Sequence, residues 1–409
     1  MSFLSMLVLI FLGRNLWAES ALPKTLILSE VLETARQNNP EIAAARKKWQ
    51  AGLARVPAEA GYERTTLTYE TMYFNRERAV GVSQDFPFPG KLTLRKNISL
   101  REASMAEQAM RSKEKEIIAK TKTAYAMLYL AHKAIDIYSQ NTDLVRQFAK
   151  VAESKYSVGK ASQVDVLKAQ LELSRMQNML VSFGQEKETA QAMLNILINQ
   201  DPEQELGFPE EPKILSLKLD YRELSQAALA NRPELLEMQH HVHHSKAILT
   251  AARFNYLPDF TAQFRRRYAD NPEMNGSDEF MVGAKIPLWF WTAKGAADAA
   301  RLEAEMGKAE YQTIKNMTLW NIKDLLVKVQ AAERLVNLYR TSVIPQAENA
   351  LQVTLASYRS DRASFLDLID IQRNLIQFRY EHYQHLADYG KMIAELEQVV
   401  GKPLSEVSK

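Results

Sequence analysis

Asp367 and Asp370 carry the clearest chemical signal in this 409-residue chain. At i and i+3 on a helix, two carboxylates share one face. Gathered around a rotation axis by identical subunits, such pairs would form an acidic ring that attracts cations and repels itself. On a solitary helix the same pair would solvate the surface or cap the preceding turn. A second cluster, His240-His241-Val242-His243-His244, holds four of the seven histidines. His240 with His244, or His241 with His244, has the spacing to grip a divalent metal from one helix face. The chain contains no Cys, however, and no acidic partner is fixed nearby. The cluster therefore reads as an exposed polar face, and so do His382 and His385. No Ser-His-Asp set, phosphate loop or HExxH motif is present, so neither an enzyme nor a cofactor is expected.

The aspartates belong to a segment that occurs twice. Tyr156-Ser-Val-Gly-Lys-Ala-Ser162-Gln-Val-Asp165-Val-Leu-Lys-Ala-Gln170 returns 202 positions later as Tyr358-Arg-Ser-Asp-Arg-Ala-Ser364-Phe-Leu-Asp367-Leu-Ile-Asp370-Ile-Gln372. Tyr138 with Tyr339, Gly81 with Gly283, and Ala192-Met-Leu194 with Ala394-Glu-Leu396 echo at nearly the same offset. Asn39-Pro40-Glu41 answers Arg232-Pro233-Glu234 at an offset of 193, so nine extra residues fall between these Pro and Gly markers. The turn-rich stretch from Ala269 to Glu279 is their expected place. A duplication on this scale implies one architecture built twice, with repeats expected at 22–203 and 204–409 after a signal peptide, 1–21. Phe3 to Leu12 has the size of a signal h-region, and Ala18 or Ala21 could precede the cut.

Composition removes other classes. Net charge is +3 with both signs interspersed, so no basic stripe points to nucleic acid. No mature apolar run reaches the roughly 18 residues that a transmembrane helix needs. The absence of Cys excludes disulfides, thiolate metal sites and a lipidated N-terminal Cys.

The elements that position the candidate residues follow from periodicity. Each unit opens with amphipathic helix, interrupted by a cap at Asn39-Pro40 and by the Asn231-Arg-Pro233 junction. Pro57 and Pro258 mark the approach to the next element. Two alternating stretches follow in each unit. Leu67, Tyr69, Thr71 and Tyr73 share a face, as do Val80, Val82 and Phe86. Phe260, Ala262, Phe264 and Tyr268 alternate with Thr261, Gln263, Arg265 and Arg267, and Phe280, Val282, Ala284 and Ile286 repeat the pattern. Arg266 breaks it. Such strands suit a half-buried hairpin or a membrane barrel wall. Four strands cannot close a barrel, because about eight is the practical minimum; in a membrane, several chains would have to share one.

The remainder reads as very long helix. From Leu92 to Tyr156 there is no Gly or Pro. Ile117, Thr121, Ala124, Leu128, Ala131, Ile135 and Tyr138 keep a 4-3 spacing, as do Leu386, Tyr389, Ile393, Leu396 and Val400; this is a coiled-coil seam. Sixty helical residues reach about 90 Å, a length that suits a duct or a strut. Trp289 and Trp291, flanking Phe290 after a strand, read as an interfacial aromatic belt in preference to a core plug at a turn.

Duplicated helix–hairpin–long helix–tip–long helix resembles the TolC-type outer-membrane efflux ducts. The residues that carry the resemblance are Tyr156-x-Val-Gly-x-Ala-Ser-x-x-Asp165-Val-Leu-x-Ala-Gln170 and its copy, with Leu194-Asn-x-Leu-Ile-Asn199 and Leu396 to Gly401 at the helix ends. Pro87-Phe-Pro89-Gly90-Lys91 is similar to the strand exit of the heavy-metal branch (CusC- or CzcC-like). The resemblance implies a mainly α fold with a small β part. Duplicated long coiled-coil helices would form an α-barrel, and four strands per chain would contribute to a trimeric 12-stranded transmembrane β-barrel. It implies a homotrimer in outer-membrane lipid with a helical tunnel in the periplasm. Export through it is passive, and its partners are a periplasmic adaptor (membrane fusion) protein and an inner-membrane RND-type pump; heavy-metal cations are the cargo of that branch. The family's acidic entrance maps onto Asp367 and Asp370, some of whose carboxyls are expected to have raised pKa values in a crowded ring, with Arg359 or Arg362 holding the closed tip. Its adaptor-docking tips map onto Val158, Gly159, Ala161 and Ser162, and onto Ala363 and Ser364, although Ser360-Asp361 replaces Val-Gly in the second. A periplasmic coiled-coil scaffold would explain the helices and a His-based metal-binding protein the histidines; neither uses the aromatic strand faces.

Overall fold

The computed structural model describes residues 25–72, 77–212, 214, 220–269, 276–360 and 362–407. The expected signal peptide, Tyr73, Asp361 and the centre of the 269–279 loop lie outside them. Two short strands, β1 (Thr25–Leu26) and β4 (Phe208–Pro209), pair in parallel. The helices are α1 (Leu28–Asn38), α2 (Pro40–Glu59), α3 (Lys91–Ser157), α4 (Gln163–Leu197), α5 (Tyr221–Asn231), α6 (Pro233–Phe254), α7 (Phe290–Leu338), α8 (Ile344–Arg359) and α9 (Phe365–Val400). Strands β2 (Thr66–Met72), β3 (Glu77–Phe86), β5 (Asp259–Ala269) and β6 (Asp278–Lys285) form one antiparallel sheet in the order β2-β3-β5-β6.

Local chemistry explains the boundaries. Asn39 caps α2 by accepting from the N–H groups of Glu41 (2.9 Å) and Ile42 (3.3 Å), with Pro40 at the first helical position. Its own amide donates to the Leu197 carbonyl at the end of α4 (3.0 Å), which ties the two elements together. In the second unit Arg232 stands at the cap without a side-chain bond and instead reaches Thr318 Oγ1 (2.8 Å). There Gly401, at φ 79°, closes against Asn231: a Cβ would lie 2.6 Å from the Asn231 carbonyl oxygen, so only glycine fits. Helix α2 runs two residues past Pro57 rather than stopping there, whereas Pro258 directly precedes β5.

Helix α3 spans 67 residues, about 100 Å. Its counterpart α7–α8 is interrupted by a π-helical turn, Tyr339–Val343. Pro345 follows, and its ring would crowd the carbonyl of Thr341 in a regular helix; the wider turn relieves that clash. The seam residues are buried as their spacing requires: Ile117, Thr121, Ala124, Leu128, Ala131 and Tyr138 in α3, and Leu386, Tyr389, Ile393, Leu396 and Val400 in α9. The core is accordingly a series of clusters strung along the helices, one around Leu128 and Leu194, another around Leu326 and Leu396, a third at the tips around Phe148 and Phe365. Side by side the long helices run α4, α3, α9, α8.

The sheet register sorts side chains by face. Leu67 pairs with Val82, Val82 with Phe264 and Phe264 with Phe280, while Phe86 pairs with Phe260. This apolar face is exposed along its length. The opposite face carries charge: Arg265 bridges Glu279 (2.6 Å) and Glu70 (3.4 Å), Arg267 meets Glu279 (2.9 Å) and Lys285 meets Asp85 (2.6 Å). Arg266, the break in the pattern, lies on the apolar face near the strand end, stacked 5.5 Å from the Tyr268 ring. Thr68 pairs with Gly81 and Thr261 with Gly283. The second pair encloses nine more residues than the first, so the length difference between the units sits in the β5–β6 hairpin.

Candidate functional site: the helical tips

The first tip joins α3 to α4. The chain leaves α3 through Val158 into Gly159 at φ 73°. Lys160 N–H donates to the Lys155 carbonyl (2.8 Å) and Gly159 N–H to Tyr156 (3.0 Å), which is the Schellman closure that favours glycine at its left-handed position. Ser162 then caps α4: its hydroxyl accepts from Val164 N–H (3.2 Å), and its own N–H donates to Asp165 (3.2 Å). The invariant spacing Ser-x-x-Asp is thus a capping box. Val158 is exposed, and a side chain built at Gly159 would meet nothing within 4 Å.

The second tip repeats the caps but not the surroundings. Arg362 N–H donates to Ser357 (2.8 Å), the same long closing bond as in the first tip. Ser364 caps α9, with its hydroxyl and N–H both donating to Asp367 (2.7 and 3.0 Å). The aromatic residues part company: Tyr156 is 48% exposed, Tyr358 only 5%. Tyr358 packs on Phe365 (5.7 Å) inside a cluster with Phe148, Ala152 and Leu368, and Lys155 Nζ sits 4.1 Å from its ring while donating to its carbonyl (2.8 Å). Ala363 is half-buried in that cluster, whereas Ser364 is exposed. Residues 157–160 of the first tip are therefore exposed and Ala161 half-buried, while the second tip is clamped to the end of α3.

Asp367 is exposed and Asp370 half-buried on α9, and each is already engaged. Within the single chain, hydrogen bonds from Ser364 hold the Asp367 carboxyl below its usual range. Asp370 meets Arg373 Nη1 (3.1 Å), and the same guanidinium bridges to Glu172 of α4 (2.8 Å). Arg362 turns to Ser360 Oγ (3.0 Å) instead of either aspartate. Arg373 and Glu172, which join the two tips, were not among the expected residues. The Asp370-x-x-Arg373 spacing could have suggested the first, while Glu172 is visible only once α4 and α9 are in contact. Deeper in, Gln372 donates to Asn141 of α3 (2.6 Å), both being buried.

Of the four clustered histidines only His243 is the exposed surface their pattern suggests. His240, His241 and His244 are half-buried on α6, which packs against α3 and α7. His241 and His244 rings stack at 6.4 Å, and a Cβ on Gly307 of α7 would sit 3.2 Å from His241 Nδ1. Burial lowers the pKa of His240 and His244, as it does that of His382. Among the described residues no three His, Cys, Asp or Glu converge as metal ligands. Trp289, Phe290 and Trp291 are all more than half exposed just beyond β6. No helix among the described residues is long and apolar enough to cross a membrane.

Residues 31–200 and 224–402 match the outer membrane efflux protein family. The cobalt-zinc-cadmium resistance protein CzcC of Cupriavidus metallidurans is 22% identical over 392 residues, covering 94% of this chain and 91% of that protein. The toxin and drug export protein A of Aggregatibacter actinomycetemcomitans is 21% identical over 403 residues, 88% and 86% of the two chains. The crystal structure of CusC superimposes with a TM-score of 0.80 at 17% identity over 92% of each chain.

Proposed function

Because the chain belongs to the outer membrane efflux protein family, we propose that it is the outer-membrane channel of a tripartite efflux system, working as a homotrimer. The observation that carries this is the sheet. It has one apolar and one charged face, four strands and two open edges, β2 and β6. Lipid tolerates neither an open edge nor an unclosed sheet, and three copies would supply twelve strands with the charged face around water. The helices support the same arrangement. The outer helix α4 leaves Val164, Leu167, Leu171 and Val181 exposed at heptad-related spacing, and α8 at the other side leaves Val353 exposed, edges suited to a neighbouring copy. Conduction is passive, and no catalysis is proposed.

The first tip, Val158, Gly159, Ala161 and Ser162, is the surface proposed to dock a periplasmic adaptor, which couples the duct to an inner-membrane RND-type pump. The Asp370–Arg373–Glu172 group, with Asp367 beside it, is proposed as the gate at the tunnel entrance. The repeats are taken as 22–203 and 204–409. Cargo is proposed to be divalent heavy-metal cations, on the relationship to CzcC. Heat-modifiable migration of membrane-extracted protein tests the trimer, since a folded monomer in detergent would refute it. Growth of a deletion strain on cobalt, zinc and cadmium, against growth on organic drugs, tests the cargo; sensitivity to drugs alone would overturn the metal assignment.

A further inference from the structure

The lipid-facing side of the sheet carries two arginines where an apolar residue is expected, Arg78 on β3 and Arg266 on β5. Register places them together. Val80 pairs with Arg266 and Arg78 with Tyr268, so the two guanidinium-bearing positions are diagonal neighbours on one face, about 7–8 Å apart at the backbone. Tyr268 lies opposite Arg78 and within 5.5 Å of Arg266. Thr71 and Tyr69, opposite Arg78 and Val80 on β2, add two hydroxyls to the same face. Arg266 also meets Asp278 at 3.6 Å, but both side chains are more than half exposed, at 56% and 57%. Such a pair holds its partners weakly and leaves the arginine able to take a second anion.

Their height on the sheet selects the ligand. The Phe86–Phe260 rung and the exposed Trp289-Phe290-Trp291 run mark the end nearest the helices. Arg266 and Tyr268 are six and eight residues further along β5, roughly 20 and 27 Å of strand. With strands tilted by about 40°, that is about 16–21 Å across an apolar band about 25 Å tall. If the Phe and Trp residues sit at the inner rim, the arginines sit at the outer one, where a lipid-facing cation is tolerated and faces headgroups instead of acyl chains.

We propose that Arg78 and Arg266, with Tyr268 between them, form a binding site for the phosphate of an anionic lipid headgroup in the external leaflet. The site rests on the channel reading above. Each interfacial arginine adds roughly a fivefold preference for an anionic surface, so removing both should reduce retention of such a lipid about 25-fold. The full-length protein is reconstituted in phosphatidylcholine vesicles with and without bis-phosphorylated lipid A, re-extracted, and its bound lipid counted by native mass spectrometry. Wild type and the lumen-side control R267Q should retain the phosphorylated lipid, and the R78Q/R266Q variant should lose it. Added inorganic phosphate should not displace it. Failure of wild type to insert overturns the channel reading and the site with it. Insertion with equal retention by wild type and R78Q/R266Q overturns the site alone, and displacement by inorganic phosphate shows a free-anion site instead.

Discussion

Gly159 allows the fold and the docking role of the first tip to be separated by one substitution. The residue sits at φ 73° with nothing within 4 Å of a built Cβ. A Cβ added there meets nothing in its own chain, and the intrinsic cost of Gly159→Arg is that of the left-handed backbone, about 1–2 kcal/mol. That cost is confined to one exposed turn between two long helices that pack on each other, so the melting temperature should fall by no more than about 2 °C. A partner seated on the tip would meet a new charge in the space glycine leaves open. Desolvating that charge without a counter-ion costs about 3 kcal/mol or more, over 100-fold in affinity at about 1.4 kcal/mol per decade. Gly159→Asn is the matched control, because Asn adopts this conformation readily and adds no charge. The assays are thermal melting and heat-modifiable migration for the assembly, and tolerance of exported compounds for function. The Arg variant should keep its assembly and lose export, while Asn keeps both. Unchanged export by Gly159→Arg would refute the docking assignment, and a collapse of its thermal stability would refute the claim that the tip is locally free.

Asp367→Asn should reduce cation preference in single-channel recordings more than Asp370→Asn, because the neutral Ser364 donors keep the Asp367 carboxylate ionised while Asp370 already shares the Arg373 guanidinium; equal effects would remove this distinction. Arg373→Ala strands Glu172, whose side chain is 8% exposed. Since Arg373 itself is 42% exposed, solvent screens the pair, and the loss is about 1–2 kcal/mol instead of the full value for a buried bridge. It should raise the conductance of the closed channel, and Glu172→Gln in the same protein should restore it; a variant as tight as wild type would exclude the pair from the gate. His132, His240, His244 and His382 all have pKa values lowered by burial. Their depressed folded values mean that the unfolded chain binds protons first, so stability is full above about pH 6.5 and is lost as pH falls through the folded values. Thermal melts between pH 7.5 and 5 should show this loss, reduced in a His240→Gln/His244→Gln variant; a flat profile would contradict the burial of these rings.

Features set by neighbours in the chain were legible before any folding was considered. The four strands and their two faces follow from alternation, the seams from 4-3 spacing, and the break after Asn39 from a cap and a proline. Even the recurring Ser-x-x-Asp motif is local chemistry, since the serine and aspartate at either tip satisfy the first N–H groups of the helix that follows. The duplication was visible because equal local demands leave equal residues at equal spacing.

What separates the two copies was decided by tertiary packing. Tyr156 and Tyr358 hold the same place in the motif, yet one faces solvent and the other is closed under Lys155 against Phe365 and Phe148. Asp370 and Arg373 are neighbours on one helix, but Glu172, 201 residues from Arg373, joins them only when α9 meets α4. His240, His241 and His244 of α6 read as a polar surface until α3 and α7 partly cover them. Capping and periodicity act over a few residues, so the residue types themselves record them. Burial and ion pairing depend on which helix arrives from far along the chain, and that choice belongs to the packing of the whole molecule.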